Sequence, residues 1–264
     1  MIDDLEQETA QRLGAMAVAN NTHASKMKAW LKTQPDTRAC EKHPLTLRKR
    51  DDEQSIDDSW RKPHPVATYL PCADCEGDAK LERQGVPPIS CGCSFDTFIP
   101  DNEEEREHLE KCKKWAGNPR GVALLRGNIG TGKTFLAVAM LRDFGSGKFV
   151  PHRKLLELFN EAARFKGGEK AQEGLRKIRD ASFLVIDDVG VSSGGNKDID
   201  VLQTLINHLY EQRKPTVITT NLDAEGLKSL LSERIADRLS QAVQLRRVFQ
   251  GSSKRARYGY PGSL

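Results

Sequence analysis

The sequence predicts an α/β fold, a parallel sheet covered by helices on both faces, and three observations carry that expectation. From Gly121 onward, short apolar or β-branched segments alternate with longer segments of helical periodicity. The run Phe183-Leu-Val-Ile is apolar without interruption, as in a strand buried on both faces of a parallel sheet. Upstream of Gly121 this rhythm is absent, and prolines and cysteines gather there instead.

Residues 1–35 are rich in Ala, Gln, Glu and Lys, and predict one or two short helices. Between Pro35 and Pro100 the prolines Pro44, Pro63, Pro65, Pro71, Pro87 and Pro88 break the chain repeatedly, so no long regular element is expected there. Each proline removes a backbone donor and restricts the residue before it. A stretch so interrupted needs a staple, and cysteines supply one. Residues 101–116 predict a helix whose acidic start and basic end complement the helix dipole. Then follow a strand at 122–126, a helix from Lys133 to about Asp143, a strand at 148–151 and a helix at 155–165. A strand at 182–187, a helix at 199–212 and strands at 216–220 and 243–249 complete the series. Composition thus divides the chain into a helical segment (1–35), a Cys/His module with its lead-in (36–100) and an α/β domain (101–264).

At 264 residues the chain is long enough for one α/β domain and a smaller appendage. Its hydrophobic share of 38% and charged share of 30% suit a surface-rich protein outside the membrane. No run approaches the roughly eighteen apolar residues of a membrane span. The N-terminus, Met-Ile-Asp-Asp-Leu-Glu, is acidic where a secretory signal is basic and then apolar, so a cytoplasmic location is expected. A formal charge of +4 is too mild to establish a nucleic-acid partner.

Gly127-Asn128-Ile129-Gly130-Thr131-Gly132-Lys133-Thr134 fits G-x-x-x-x-G-K-[ST] between a predicted strand and a predicted helix. Glycines let the backbone wrap a phosphate while amide groups and the helix N-terminus face its charge. In that reading Lys133 reaches the β- and γ-phosphates of ATP, and Thr134 offers its hydroxyl to Mg²⁺. Phe183-Leu-Val-Ile-Asp187-Asp188 is the companion, an apolar strand ending in two carboxylates. It places Asp187 at the magnesium ion and Asp188 at the attacking water. Asp188 is one methylene shorter than the Glu many such ATPases carry. Thr216-Val-Ile-Thr-Thr-Asn221 puts a polar amide at a strand end, where it orients water or senses the γ-phosphate; alone it would read as a turn residue.

With GNIGTGKT, FLVIDDVG, VITTNL, SERIADRL and FQGSSKR in this order, residues 85–258 resemble the DnaC/IstB-like AAA+ ATPases, which include replicative-helicase loaders. GVPPISCGCSFDTFIP is similar to the segment leading into the core of phage and prophage loaders. The resemblance implies an AAA+ P-loop core without a C-terminal helical lid. It assigns Asn221 to sensor 1, Arg238 to the arginine finger with Arg234 one turn earlier, and Arg255 to sensor 2. Taken alone, Arg234 and Arg238 would be surface partners of Glu233 or Asp237. A finger acts on a neighbour's nucleotide, so the resemblance also implies a homo-oligomer with ATP at subunit junctions.

Six cysteines, Cys40, Cys72, Cys75, Cys91, Cys93 and Cys112, all precede the core, and in a reducing compartment such clustering favours metal over disulfides. Cys40-x-x-His43 and Cys72-x-x-Cys75 are two pairs able to close one structural Zn²⁺ site; Cys72, Cys75, Cys91 and Cys93 form a second feasible set. Similarity to phage-type loaders favours the first. The function expected is ATP-dependent loading of a ring-shaped, DnaB-type replicative helicase onto single-stranded DNA. Arg246, Arg247, Lys254, Arg255 and Arg257 are either phosphate contacts or a solvated C-terminal stretch. A transposition helper of the IstB kind, which marks duplex DNA and recruits a transposase, is the alternative. A zinc-stabilised adaptor that uses ATP only as a switch is a third reading.

Overall fold

The computed structural model describes residues 37–39, 47–51, 68–69, 73–164, 168–190 and 196–255. The predicted helices of 1–35 and the sites Cys40, His43, Cys72 and Arg257 lie outside these residues. The chain divides into two compact units, residues 1–76 and 77–264. In the first, strands β1 (Thr37–Ala39), β2 (Leu47–Asp51) and β3 (Thr68–Tyr69) form a small antiparallel sheet in that order.

Helix α1 (Ala73–Arg83) corrects the expectation that no long element persists between Pro35 and Pro100. The interval from Pro71 to Pro87 holds no proline, which leaves room for three helical turns. Its Leu81, with Val86, Cys91, Cys93 and Phe98 of the following segment, enters the core of the second unit. Helix α2 (Glu103–Ala116) follows, its N-terminus capped by Asn102, whose side chain accepts from the Glu105 amide at 2.9 Å.

The strands β4 (Val122–Gly127), β5 (Lys148–Pro151), β6 (Leu184–Val189), β7 (Thr216–Thr220) and β8 (Val243–Phe249) form one parallel sheet in the order β5-β6-β7-β4-β8. Helices α3 (Lys133–Phe144), α4 (His152–Ala162), α5 (Glu169–Arg179), α6 (Asn196–Gln212), α7 (Ala224–Leu230) and α8 (Glu233–Ala242) connect them. Alternate residues of β4 serve opposite faces. Ala123 and Leu125 join Leu109, Trp115, Leu136, Met140 and Phe183 on one side. Val122 and Leu124 join Leu155, Ile178, Leu202, Ile206, Ile235 and Leu239 on the other. Both faces of the sheet are therefore covered by helices, as expected. Each large side chain so buried contributes about 2–3 kcal/mol of transfer free energy.

Several boundaries differ from the sequence reading. Helix α4 begins at His152, earlier than Leu155, directly after Pro151, which ends β5 in extended backbone at φ −61°. Strand β6 runs two residues later than expected, to Val189. Helix α5 was not expected: it is dense in charge, and its inward side rests on Ala171 and Ile178 alone as fully buried residues.

At the far end of α3 from the phosphate loop, Arg142 ties the segment preceding α2 to the core. Its Nε donates to the Cys93 carbonyl at 3.0 Å, and its Nη2 donates to Asp78 at 2.5 Å and to the Cys91 carbonyl. The Asp78 carboxylate is 4% exposed, so this ion pair is screened far less than a surface pair.

Candidate functional site

The strand order brings the predicted site together. Strand β7 lies between β4, which leads into the phosphate loop, and β6, which ends in the two carboxylates. Parallel strands end at one edge, so Lys133, Asp187, Asp188 and Asn221 all follow from the same C-terminal edge of the sheet.

The loop itself is held from β8. Gly127 has φ +133°, and a Cβ there would fall 2.0 Å from the Phe249 carbonyl oxygen. That carbonyl accepts from the Asn128 amide at 3.0 Å, which explains why the first loop position has to be glycine. Thr131 is buried and donates from Oγ1 to the Asn128 carbonyl at 2.8 Å. Phe249 is backed by the ring of His108 from α2, with centroids 4.4 Å apart. Arg247 donates from Nε to His108 Nδ1 at 2.9 Å, so Nε2 carries the proton and donates to the Val248 carbonyl at 3.0 Å. Burial first, and the Arg247 charge second, hold His108 below its ordinary pKa and therefore neutral.

Lys133 opens α3 and is 4% exposed. Its Nζ donates to the carbonyls of Gly127 at 2.9 Å and Asn128 at 2.6 Å, so the ammonium sits in the mouth of the loop. Burial pulls its pKa down, Asp188 and Asp187 push it back up, and Arg255 lowers it again. The next residue, Thr134, donates from Oγ1 to Asp187 Oδ1 at 2.9 Å.

Asp187 is 7% exposed, and burial raises its pKa to about 6, against hydrogen bonds from Thr219 and Thr134. A cation beside it reverses that pressure. The pair Thr134 and Asp187 fits magnesium, which takes one or two protein oxygens and completes its shell with phosphate and water. Sequence reasoning missed Thr219. Its buried hydroxyl donates to Asp187 Oδ1 at 2.6 Å and accepts from the Asp188 amide at 2.9 Å. The β6–β7 register shifts between Ile186 and Val189, and Asp188 adopts φ +55° within that irregularity. The bulge turns Asp187 inward and leaves Asp188 exposed at the sheet edge. Only pairing across the sheet reveals Thr219; in the sequence it is one threonine of a β-branched strand.

Asn221 stands half-buried one residue beyond β7. Arg255 is exposed, yet near enough to Lys133 to act on its charge. Arg238, in α8, is half-buried; its Nη1 donates to Asn207 Oδ1, and its guanidinium carbon lies 5.7 Å from the centre of the Tyr210 ring. Asp237 accepts from Gln241 at 2.8 Å, and Arg234 is exposed. Two members of the basic C-terminal stretch are corrected as phosphate contacts. Arg247 bonds His108 and lies 3.3 Å from Glu107, while Lys254 is 4% exposed and paired with Asp101 and Glu105. Arg246 and Arg255 remain on the surface.

Of the expected zinc ligands, only Cys75, in the first turn of α1, lies among the described residues. Cys91 and Cys93 are core residues, the Cys91 thiol facing the Pro87 carbonyl at 3.5 Å. Among the described residues no group of three or more His, Cys, Asp and Glu side chains is arranged to hold a metal. Among them, too, no helix is long and apolar enough to cross a membrane.

Comparison with known proteins agrees with this geometry. The family described as "IstB-like ATP binding protein" matches residues 98–256, more than half of the chain. The protein YdaV of Escherichia coli K12 is 28% identical over 167 residues, covering 61% of this chain and 66% of YdaV. The replicative helicase loader DnaC of the same organism is 25% identical over 185 residues, 67% of this chain and 75% of DnaC. Among solved structures, the DnaC helicase loader superposes with a TM-score of 0.55 at 23% identity, covering 61% of this chain and 98% of that one. DnaI superposes with a TM-score of 0.53 at 20% identity, covering 64% and 94%. These structural likenesses establish the AAA+ P-loop fold.

Proposed function

The chain belongs to the IstB-like ATP binding protein family of AAA+ ATPases, and on that premise we propose that it loads a replicative DNA helicase onto single-stranded DNA. The observation that carries this reading is that one loader, DnaC, is similar over 67% of the chain in sequence and shares its core fold. In this reading the Gly127–Thr134 loop cradles the phosphates of ATP. Lys133 neutralises the β- and γ-phosphates, and Thr134 with Asp187 holds Mg²⁺, which when bound offsets phosphate charge. Asp188 accepts a proton from the water that attacks the γ-phosphorus as the bond to the ADP oxygen breaks. Asn221 orients that water, Arg255 faces the γ-phosphate, and Arg238 serves the nucleotide of the next subunit in a homo-oligomer. In a cytoplasmic setting, Cys40, His43, Cys72 and Cys75 hold a structural zinc ion that staples the N-terminal module, which grips a DnaB-type helicase.

The proposal is tested by native mass analysis of the full chain mixed with the host's replicative helicase, ATP and Mg²⁺. The expected result is a defined complex of several copies per helicase ring. Absence of a complex, together with ATP-dependent assembly on duplex DNA, would overturn it in favour of a transposition helper.

Thr219 offers a test within the ATP site. Thr219→Val keeps the shape but removes both hydrogen bonds to the acidic pair. It is expected to lower turnover or apparent Mg²⁺ affinity by about 10–100-fold, the usual effect of losing a group that orients a metal ligand. Thr219→Ser retains the hydroxyl and should stay near wild type. The measurement is Mg²⁺ titration of ATP binding and of phosphate release; equal values for valine and serine would remove Thr219 from the site.

A further inference from the structure

Lys254 is a buried lysine in the segment that follows β8. Its side chain is 3% exposed. Nζ lies 2.7 Å from Glu105 Oε2, pairs with Asp101, donates to the Ile99 carbonyl at 3.3 Å and stands 5.7 Å from the centre of the Phe98 ring. Asp101 and Glu105 are fixed in turn: Glu105 accepts from the Asp101 amide at 2.7 Å, and its own amide is capped by Asn102. The lysine pKa is raised by these carboxylates against the cost of burial, so the ammonium is charged. A buried ion pair seldom stabilises more than an apolar replacement would, and its better attested use is to fix a register.

The register here is that of the segment 250–255 against the phosphate loop. The Lys254 amide donates to the Gly130 carbonyl at 2.8 Å. Gly130 has φ +79°, and a Cβ there would fall 2.3 Å from Ser253 Oγ, so the segment lies directly on the loop. Lys254 is thus bonded to the loop through its backbone and to the start of α2 through its side chain. Arg255, the next residue, is the one whose charge reaches Lys133.

We propose that Lys254, Asp101 and Glu105 form a latch that holds Arg255 in register over the phosphate loop, making Lys254 a positioning residue for discrimination between ATP and ADP. The proposal rests on the reading that Arg255 faces the γ-phosphate. Without the latch, segment 250–255 keeps its backbone bond to Gly130 but loses its anchor to α2, and Arg255 no longer meets the third phosphate at a fixed distance. ADP, which lacks that phosphate, is bound through the loop and Lys133 and does not sense the change.

The test measures ATP and ADP affinities of the full chain by displacement of a fluorescent nucleotide, with thermal melting as a check on folding. Lys254→Met is expected to reduce the preference for ATP over ADP on the order of tenfold, the size of one charge-assisted hydrogen bond, with ADP affinity unchanged. Arg255→Ala should show the same loss, and the double variant should lose no more than either single one. Lys254→Arg should restore most of the preference. Asp101→Asn, a milder change at a half-exposed partner, should give an intermediate loss and serves if Lys254→Met does not fold. Equal weakening of ATP and ADP, or additive losses in the double variant, would overturn the latch while leaving Arg255 in place. An unchanged preference in Arg255→Ala would overturn both the latch and the reading beneath it.

Discussion

Lys133→Ala is expected to weaken ATP binding about 100-fold or more and, with it, to abolish turnover. A phosphate contact by an ammonium is a charge-assisted hydrogen bond worth about 1.5–3 kcal/mol, and Lys133 has two phosphates to serve. Its position also makes the loss direct. Nζ is held by the Gly127 and Asn128 carbonyls, so the positive charge is already desolvated and aimed into the loop. Nothing nearby replaces it: Asp187 and Asp188 are of the wrong sign, and Arg255 is an exposed side chain on a separate segment. Isothermal titration with ATP and ADP, at constant Mg²⁺, measures the loss, and the melting temperature confirms that the variant is folded. Both nucleotides should be lost together, unlike the selective effect expected of Lys254→Met. Undiminished turnover in Lys133→Ala would remove the Gly127–Thr134 loop from the reaction.

The contrast between these two lysines shows what was legible in the chain. The phosphate loop, the acidic strand and the strand ending at Asn221 are contiguous patterns, each written over eight residues or fewer, and sequence order already places them at strand ends. The alternation of strands with helices was legible over most of the core, but the charge-dense helix α5 and the short helix α7 were not. Roles that arise from pairing between distant residues were invisible. Thr219 reaches Asp187 across 32 positions and Lys254 reaches Asp101 across 153, and neither pair has any local signature. Lys254 was counted with a basic stretch because a sequence shows charge without burial. Helix α1 was hidden for the opposite reason: prolines on both sides of it drew attention away from the proline-free interval between them.

Arg238→Ala is expected to bind ATP normally and to hydrolyse it about 10³-fold or more slowly, the usual contribution of an arginine finger. Within its own chain Arg238 bonds Asn207 and faces the ring of Tyr210, both on α6, and Tyr210 is itself fixed by its hydroxyl, which donates to Gln241 at 3.0 Å. These contacts involve no acidic partner, so in the proposed reading the guanidinium charge is left for a phosphate group of a neighbouring subunit. They also bring a competing account: an arginine that only braces α8 against α6 would lose stability on truncation. Mixing experiments separate the two. At ATP concentrations well below their weakened affinity, Lys133→Ala subunits stay empty but carry an intact Arg238; Arg238→Ala subunits bind ATP but lack the arginine. If the arginine acts across a junction, the two inactive variants regain turnover when mixed, rising with the share of mixed junctions. A bracing role predicts no recovery at any ratio and a lowered melting temperature for Arg238→Ala alone. The same mixture made with Arg234→Ala decides which residue of α8 reaches the neighbour, since Arg234 is exposed and one turn nearer the helix start. Recovery with Arg234→Ala and not with Arg238→Ala would transfer the role to Arg234 and leave Arg238 as the brace.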